Sequence, residues 1–282
     1  MRSRGGLVAV VVASVLWGLG GTIASALFEK GADPLEVVAV RTWIALIGLA
    51  SLMACRRSTS AARTAPGRAR VAWRPICGFG LSLAVANACL FLAISRLPVA
   101  VALVLQNLAP AFVVAGSAVA MRRPPGWRTV LGLAVALACV AFVVRLPATQ
   151  LGRIDLAGVG LGLLTAVAVA AFSMYGARAA GVCGALTANV WAFALAAVLW
   201  LGYQVPQGMP ELFERPGLLF GAVVVGLFGT LVPFLLFSWG TARVGATVGA
   251  VTISLEPLFG ALLAWEWLGQ ALTLGQVIGG SC

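Results

Sequence analysis

Glu256 stands near the middle of a long apolar run, directly before Pro257, and Arg41 lies six residues into another such run. A charge in that setting costs roughly 2.5 to 3.5 kcal/mol on membrane-insertion scales, so its presence points to gating, ion coupling or bonding to freed backbone amides. Pro257 removes a backbone donor and predicts a kink at the same place. Arg41 sits about 9 Å from its helix end at the helical rise. It is expected to snorkel to the surface, with gating or coupling as its functional role. The neutral polar and aromatic residues inside apolar runs are Trp17, Asn87, Gln106 and Asn107 in the first half, and Tyr175, Trp239 and Ser254 in the second. Amides donate and accept without carrying charge, and aromatic rings supply flat apolar walls with polar tips. Such a lining suits a small zwitterion or an aromatic solute. Pro110, Pro233 and Pro257 are candidate hinges for opening one side of a cavity while closing the other.

Covalent chemistry has little to work with. The chain has no histidine, and its six cysteines (Cys55, Cys77, Cys89, Cys139, Cys183, Cys282) lie apart, without CxxC spacing. Neither a zinc site, a disulfide framework nor a Ser/His/Asp set is available, so no enzyme activity, metal or cofactor is expected.

The elements that must position these residues are membrane helices. Of 282 residues 61% are hydrophobic and 10% charged, and the mean hydropathy is +1.04, far from the composition of soluble domains. Ten apolar segments follow one another: 7–28, 35–54, 76–95, 99–120, 127–146, 156–177, 185–203, 218–240, 246–265 and 271–282. The first nine have the length that crosses roughly 30 Å of hydrocarbon. The tenth, 12 residues long, covers only about 18 Å, and the chain as given is expected to stop inside its last helix. Trp127, Trp200, Trp265 and Trp267 read as interfacial belt residues. Small residues four apart, as in Gly158/Gly162 and Gly217/Gly221, predict close helix packing.

A fixed offset of 147 residues relates Arg96–Phe112 to Arg243–Phe259, with Arg96/Arg243, Val101/Val248, Val104/Val251, Leu108/Leu255, Pro110/Pro257 and Phe112/Phe259 identical. One unit used twice, with five crossings in each copy, must place the second copy upside down. The reading is therefore an all-α integral membrane protein of ten helices in two inverted five-helix repeats, residues 1–150 and 151–282. Charge fixes the orientation. With the N-terminus cytoplasmic, inner segments hold Arg2, Arg4, Arg56, Arg57, Arg63, Arg68, Arg70, Arg74, Arg122, Arg123, Arg128, Arg178 and Arg243. The outer segments hold only Lys30, Arg96, Arg145, Arg153 and Arg215, together with every acid except Glu256. The net charge of +11 is thus a topology signal and not a nucleic-acid footprint.

Trp17-Gly18 in the first segment, Arg41-Thr42-Trp43 in the second, the Arg96-Leu97-Pro98 corner, and Leu255-Glu256-Pro257-Leu258-Phe259 ahead of Trp267-Leu268-Gly269 resemble the EamA-type members of the drug/metabolite transporter superfamily. Amino-acid exporters of the YddG type, which act on aromatic amino acids, look similar. The resemblance implies a ten-helix carrier working by alternating access. Gln270 stands where members often have glutamate.

Charge matching ranks the solutes. Phosphorylated sugars need several cations in the cavity, yet the chain has one lysine and only Arg41 near its interior. Export of amino acids, aromatic and other neutral ones, or of similar small metabolites fits best, by a secondary-active or a facilitative route. Proton-coupled export of lipophilic cationic drugs, balanced by Glu256, is the alternative. A structural membrane subunit without transport is the alternative of another class. The expected partners are a small-molecule substrate and the bilayer, with the chain acting as a monomer. Eighteen arginines to one lysine, amid abundant Ala, Gly and Val, suggest a GC-rich bacterium and its plasma membrane.

Overall fold

The computed structural model describes residues 2–59, 73–113, 127, 155–208, 210–244, 252 and 255–269. Among them every regular element is a helix: α1 (Arg2–Glu29), α2 (Pro34–Thr59), α3 (Trp73–Ile94), α4 (Val99–Gln106), α5 (Leu156–Cys183), α6 (Ala185–Gln204), α7 (Pro216–Gly226), α8 (Val232–Val244) and α9 (Glu256–Leu268). A π-helical segment, Leu227–Leu231, joins α7 to α8. Six spans of 22 to 28 residues are long and apolar enough to cross a membrane, and Val99–Val113 is a shorter apolar one. This is the expected all-α membrane fold. The fifth and tenth apolar segments lie outside the described residues, apart from Trp127.

Local sequence explains where the helices start and stop. Gly31, at φ 86°, ends α1, and Ala32 N–H donates back to Leu27 O at 2.9 Å. Only glycine holds that left-handed backbone at no steric cost. Asp33 then starts α2 by accepting from the Leu35 and Glu36 amides at 2.8 and 3.0 Å, with Pro34 as the first helical residue. Asp155 caps α5 in the same way, accepting from Ala157 N–H at 2.9 Å and Gly158 N–H at 3.1 Å. Its other oxygen meets Arg96 Nη1 at 3.1 Å, tying the start of α5 to the α3–α4 corner.

These bonds, the Gly158 amide first and Arg96 next, hold the Asp155 carboxyl below its ordinary value. A lowered carboxyl adds stability that is present above the unfolded value near 4 and is lost as pH falls through the folded one. Asp155→Ala is therefore expected to flatten the acid limb of apparent Tm measured from pH 6 down to pH 3, with a small effect because the pair is partly exposed.

Interior packing is built from small side chains. The largest buried cluster joins Ala24 and Leu27 of α1, Val37, Val38, Ala45 and Leu49 of α2, Phe79, Leu83 and Phe91 of α3, Val190, Phe193 and Trp200 of α6, and Ala222 and Val225 of α7. Lipid gives no hydrophobic drive between helices, so close backbone approach through Ala and Gly has to hold them together. The packing partners come in pairs: α1 lies along α8 and α9, α5 lies along α3 and α4, α2 meets α7 and α6, α3 meets α6, and α4 meets α9. Trp200 is buried, edge-on to Tyr203. It belongs to the core and not to a belt, because α6 turns that face toward α2 and α3. Trp127, Trp265 and Trp267 are exposed.

Candidate functional site

α1 is the axis of the site. Ser14, Gly18 and Thr22 share one face at helical spacing, and that face lies on Thr252, Glu256 and Gly260 at the same spacing. Ser14 Oγ donates to Thr252 O at 3.2 Å, and Thr22 Oγ1 donates to Gly260 O at 3.5 Å. Between them, a Cβ on Gly18 would stand 2.7 Å from Gly260 N and 3.2 Å from Glu256 O. Two residues on, a Cβ on Gly20 would stand 2.7 Å from Gly229 Cα, inside the π segment. Residues 18 to 20 of α1 thus bring the α9 start and the π segment to one level.

The ninth apolar segment is broken where the sequence placed the kink. Leu255 is a turn residue, and Glu256 and Pro257 open α9. Proline is compatible with the first turn of a helix, where its missing N–H has no partner to lose. Glu256 is only 8% exposed. It occupies the positive end of a helix that begins inside the membrane span. The fourth segment breaks 147 residues earlier: α4 ends at Gln106, Asn107 and Leu108 form a turn, and helix resumes toward Pro110.

Arg41 differs from its sequence reading. It does not snorkel but is 8% exposed, because the α2 face that bears it packs against α7, with Arg41 Cα 3.2 Å from where a Gly226 Cβ would be. Axial distance from a helix end did not decide its fate; the direction around the helix did. Arg41 Nε donates to Thr230 Oγ1 at 2.8 Å, and the guanidinium carbon sits 4.4 Å from the Phe91 ring centroid. That stacking retains attraction without water. Thr230 itself lies in the π segment, which Pro233 explains. Pro233 cannot donate to the carbonyl one turn back, and the ladder widens so that Val232 N–H bonds Leu227 O, five residues earlier.

Arg41 and Glu256 lie within electrostatic reach of one another, but they form no ion pair at 4.0 Å or less; among the described residues the only such pair is Arg96–Asp155. The remaining sequence-predicted residues divide. Trp17 is half-buried against Phe237 at 5.4 Å. Asn87 and Asn107 are half-buried, each donating to the carbonyl one turn back, Leu83 O and Leu103 O, at 2.9 Å. Gln106 is half-buried next to Asn107 in sequence, ahead of the α4 turn. Tyr175 and Trp239 are exposed, with Arg178 and Arg243 guanidinium groups over their rings at 5.9 and 3.6 Å. Pro233 and Pro257 are buried and Pro110 is exposed. Ser254 lies outside the described residues. Thr230, Phe91, Ser14 and Thr22 were missed, since a hydroxyl or a phenyl ring in an apolar run carries no signal until its partner is known.

A bundle of membrane helices with two interrupted spans, and with ionic side chains buried at the interruption, has the build of a carrier. The chain belongs to the EamA-like transporter family, whose model matches residues 4–145 and again residues 156–282. It is a multi-pass membrane transporter and not an enzyme. It is 27% identical over 278 residues to an uncharacterized transporter of Archaeoglobus fulgidus, covering 99% of this chain and 93% of the relative. The threonine/homoserine exporter RhtA of Salmonella typhimurium is 27% identical over 205 residues, spanning 72% of this chain and 66% of RhtA. An uncharacterized inner membrane transporter of Salmonella typhimurium, YicL, is 25% identical over 289 residues, with 98% and 95% covered. One crystal structure shares the fold with a TM-score of 0.62 at 20% identity, over 99% of this chain and 92% of the other.

Proposed function

We propose that this transporter exports neutral amino acids, aromatic and small polar ones, or closely similar metabolites, by alternating access across a bacterial plasma membrane, as a monomer with its N-terminus cytoplasmic. The observation that carries the substrate class is the central pair. Arg41 and Glu256 are both buried and opposite in charge, a balance that favours a net-neutral solute. A lipophilic cation needs an acid left uncompensated, and the nearby guanidinium removes that advantage. The name of RhtA, an amino acid exporter, supports the same class. Two inverted repeats, 1–150 and 151–282, underlie the mechanism. Their support is the 147-residue echo, the double family match, the breaks at Asn107 and Leu255, and the way α1–α8 contact is mirrored by α5–α3, and α1–α9 by α5–α4.

Trp17, Asn87, Gln106 and Asn107 are assigned to the cavity wall together with Ser254, and Tyr175 and Trp239 to its mouth. Arg41 and Glu256 set the gate. Counterflow in proteoliposomes tests the reading: unlabelled phenylalanine, threonine or methionine inside, the labelled form outside, with and without a pH gradient. Saturable exchange supports an amino-acid carrier. Gradient stimulation that disappears in Glu256→Gln makes the export proton-coupled, and exchange indifferent to the gradient makes it facilitative. No amino-acid exchange, with Glu256-dependent uptake of a lipophilic cation instead, replaces this reading by drug export.

Pro257 provides a further check. As the second residue of an in-membrane helix it fixes the angle between α9 and the turn before it. Pro257→Ala is expected to slow exchange about 10-fold or more while changing substrate affinity less than about threefold, roughly 1.4 kcal/mol on the barrier. Equal losses in rate and affinity would remove the hinge.

A further inference from the structure

Two ionic side chains of opposite sign, Arg41 and Glu256, are buried where α1 brings the π segment and the start of α9 together. A guanidinium has five N–H donors. Arg41 gives its Nε–H to Thr230 and turns a face to Phe91, and the two-nitrogen fork at its end is the part suited to a carboxylate. Glu256 is as deeply buried, at 8% exposed. A guanidinium and a carboxylate free to approach would close a bidentate pair. Here both are held by their own anchors. The Thr230 bond and the Phe91 ring fix Arg41 on one side. Glu256 is fixed by its place in the first turn of α9, where Gly18 of α1 lies against its carbonyl.

Two opposite charges held apart in a membrane interior are costly unless something of matching charge spans them. A solute with one negative and one positive end, separated by a single carbon, has that form. We infer that Arg41 and Glu256 are the two poles of the binding site for a free α-amino acid, Arg41 receiving its carboxylate through the forked guanidinium and Glu256 receiving its ammonium. The inference rests on the amino-acid reading above and adds which chemical group of the solute each residue holds. It turns two gating residues into the source of substrate class, since a site built for both ends rejects a molecule that lacks either one.

The test uses the full chain in proteoliposomes and two probe series: L-phenylalanine with L-phenylalaninamide and 3-phenylpropionate, and L-threonine with L-threoninamide and 3-hydroxybutyrate. In each series one analogue lacks the carboxylate and the other lacks the ammonium. Competition against the labelled amino acid is expected to be weaker by about 100-fold for both analogues in the wild-type chain. Arg41→Gln should cancel the preference over the amide, and Glu256→Gln the preference over the des-amino acid, each leaving the other preference in place. Wild-type analogues that compete as well as the amino acid overturn the two-pole site while leaving amino-acid transport standing. So do variants that keep both preferences. If the glutamine variants fail to insert, Arg41→Lys and Glu256→Asp take their place, each expected to weaken its own preference and leave the other; variants that keep both preferences overturn the site. No exchange of any amino acid would instead remove the amino-acid reading itself, and the two-pole site with it.

Discussion

Gly18→Val is expected to lower apparent Tm by about 5 °C or more and to abolish most exchange. A side chain at that position runs into Gly260 N, Gly260 Cα and Glu256 O, all backbone atoms that cannot rotate away. Overpacking a close contact costs about 1 to 3 kcal/mol even where side chains can adjust, and several degrees is the corresponding shift for a domain of this size. The only relief is to push α1 away from α9. That movement stretches the Ser14–Thr252 and Thr22–Gly260 bonds and draws Glu256 out of the level of Arg41. Stability and transport should therefore fall together. Gly160→Ala and Gly181→Ala, where an added Cβ meets nothing within 4 Å, are the controls, and both should leave Tm and exchange within error. The measurement is a thermal-stability scan in detergent beside counterflow. A Gly18→Val protein as stable and as active as the Gly160→Ala control would show that the α1–α9 approach is not needed.

The helices and their breaks were legible for a simple reason. Apolar length and proline position are properties of consecutive residues, so α1, α2, α3, α5 and α6 and the turn before Pro257 follow from local sequence alone. The site was half legible. Glu256 announced itself by cost, because an acid in an apolar run has to be explained. Arg41 was seen but misplaced: its distance along the helix suggested an escape to water, whereas its angular position faces Thr230 and Phe91. Those partners are 189 and 50 residues away in sequence, and nothing local names them. The π segment is an intermediate case. Pro233 promised a distortion in the eighth span, but its consequence, a widened turn that aims Thr230 at Arg41, depends on how α7 and α8 pack against α1. Glycine spacing was a partial guide, since Gly158, Gly162 and Gly221 do pack tightly, against Leu97, Leu105 and Leu27. Gly158/Gly162 and Gly217/Gly221 stood out by regular spacing, yet the tightest backbone approaches at the site are Gly18 with Gly260 and Gly20 with Gly229. A contact between helices is a pairing across the fold, and a single chain read in order shows only one member at a time.

Removing both members of the central pair should cost less than the two single removals added together. Arg41→Gln leaves Glu256 as a buried charge with no opposite partner in reach, and Glu256→Gln does the same to Arg41. Each single substitution is therefore expected to lower stability, toward the lower end of the roughly 3 to 5 kcal/mol range for breaking a buried pair. The separation beyond 4.0 Å places the expectation there. The double variant removes both charges, so its loss should be smaller than the sum of the singles by about 1 to 3 kcal/mol. Arg41→Lys separates the two sources of Arg41's contribution. It keeps the charge for Glu256 but gives up the planar fork and the flat face over Phe91, so it should recover stability more than exchange. Apparent Tm of the four proteins without substrate, read in one detergent at one ionic strength, gives the coupling directly. Strictly additive losses would mean that Arg41 acts only through Thr230 and Phe91 and Glu256 only through the start of α9, and the two charges would then be neighbours without being partners. A positive coupling, with a double variant that folds well and transports nothing, would mean that the pair is kept for the solute and not for the fold.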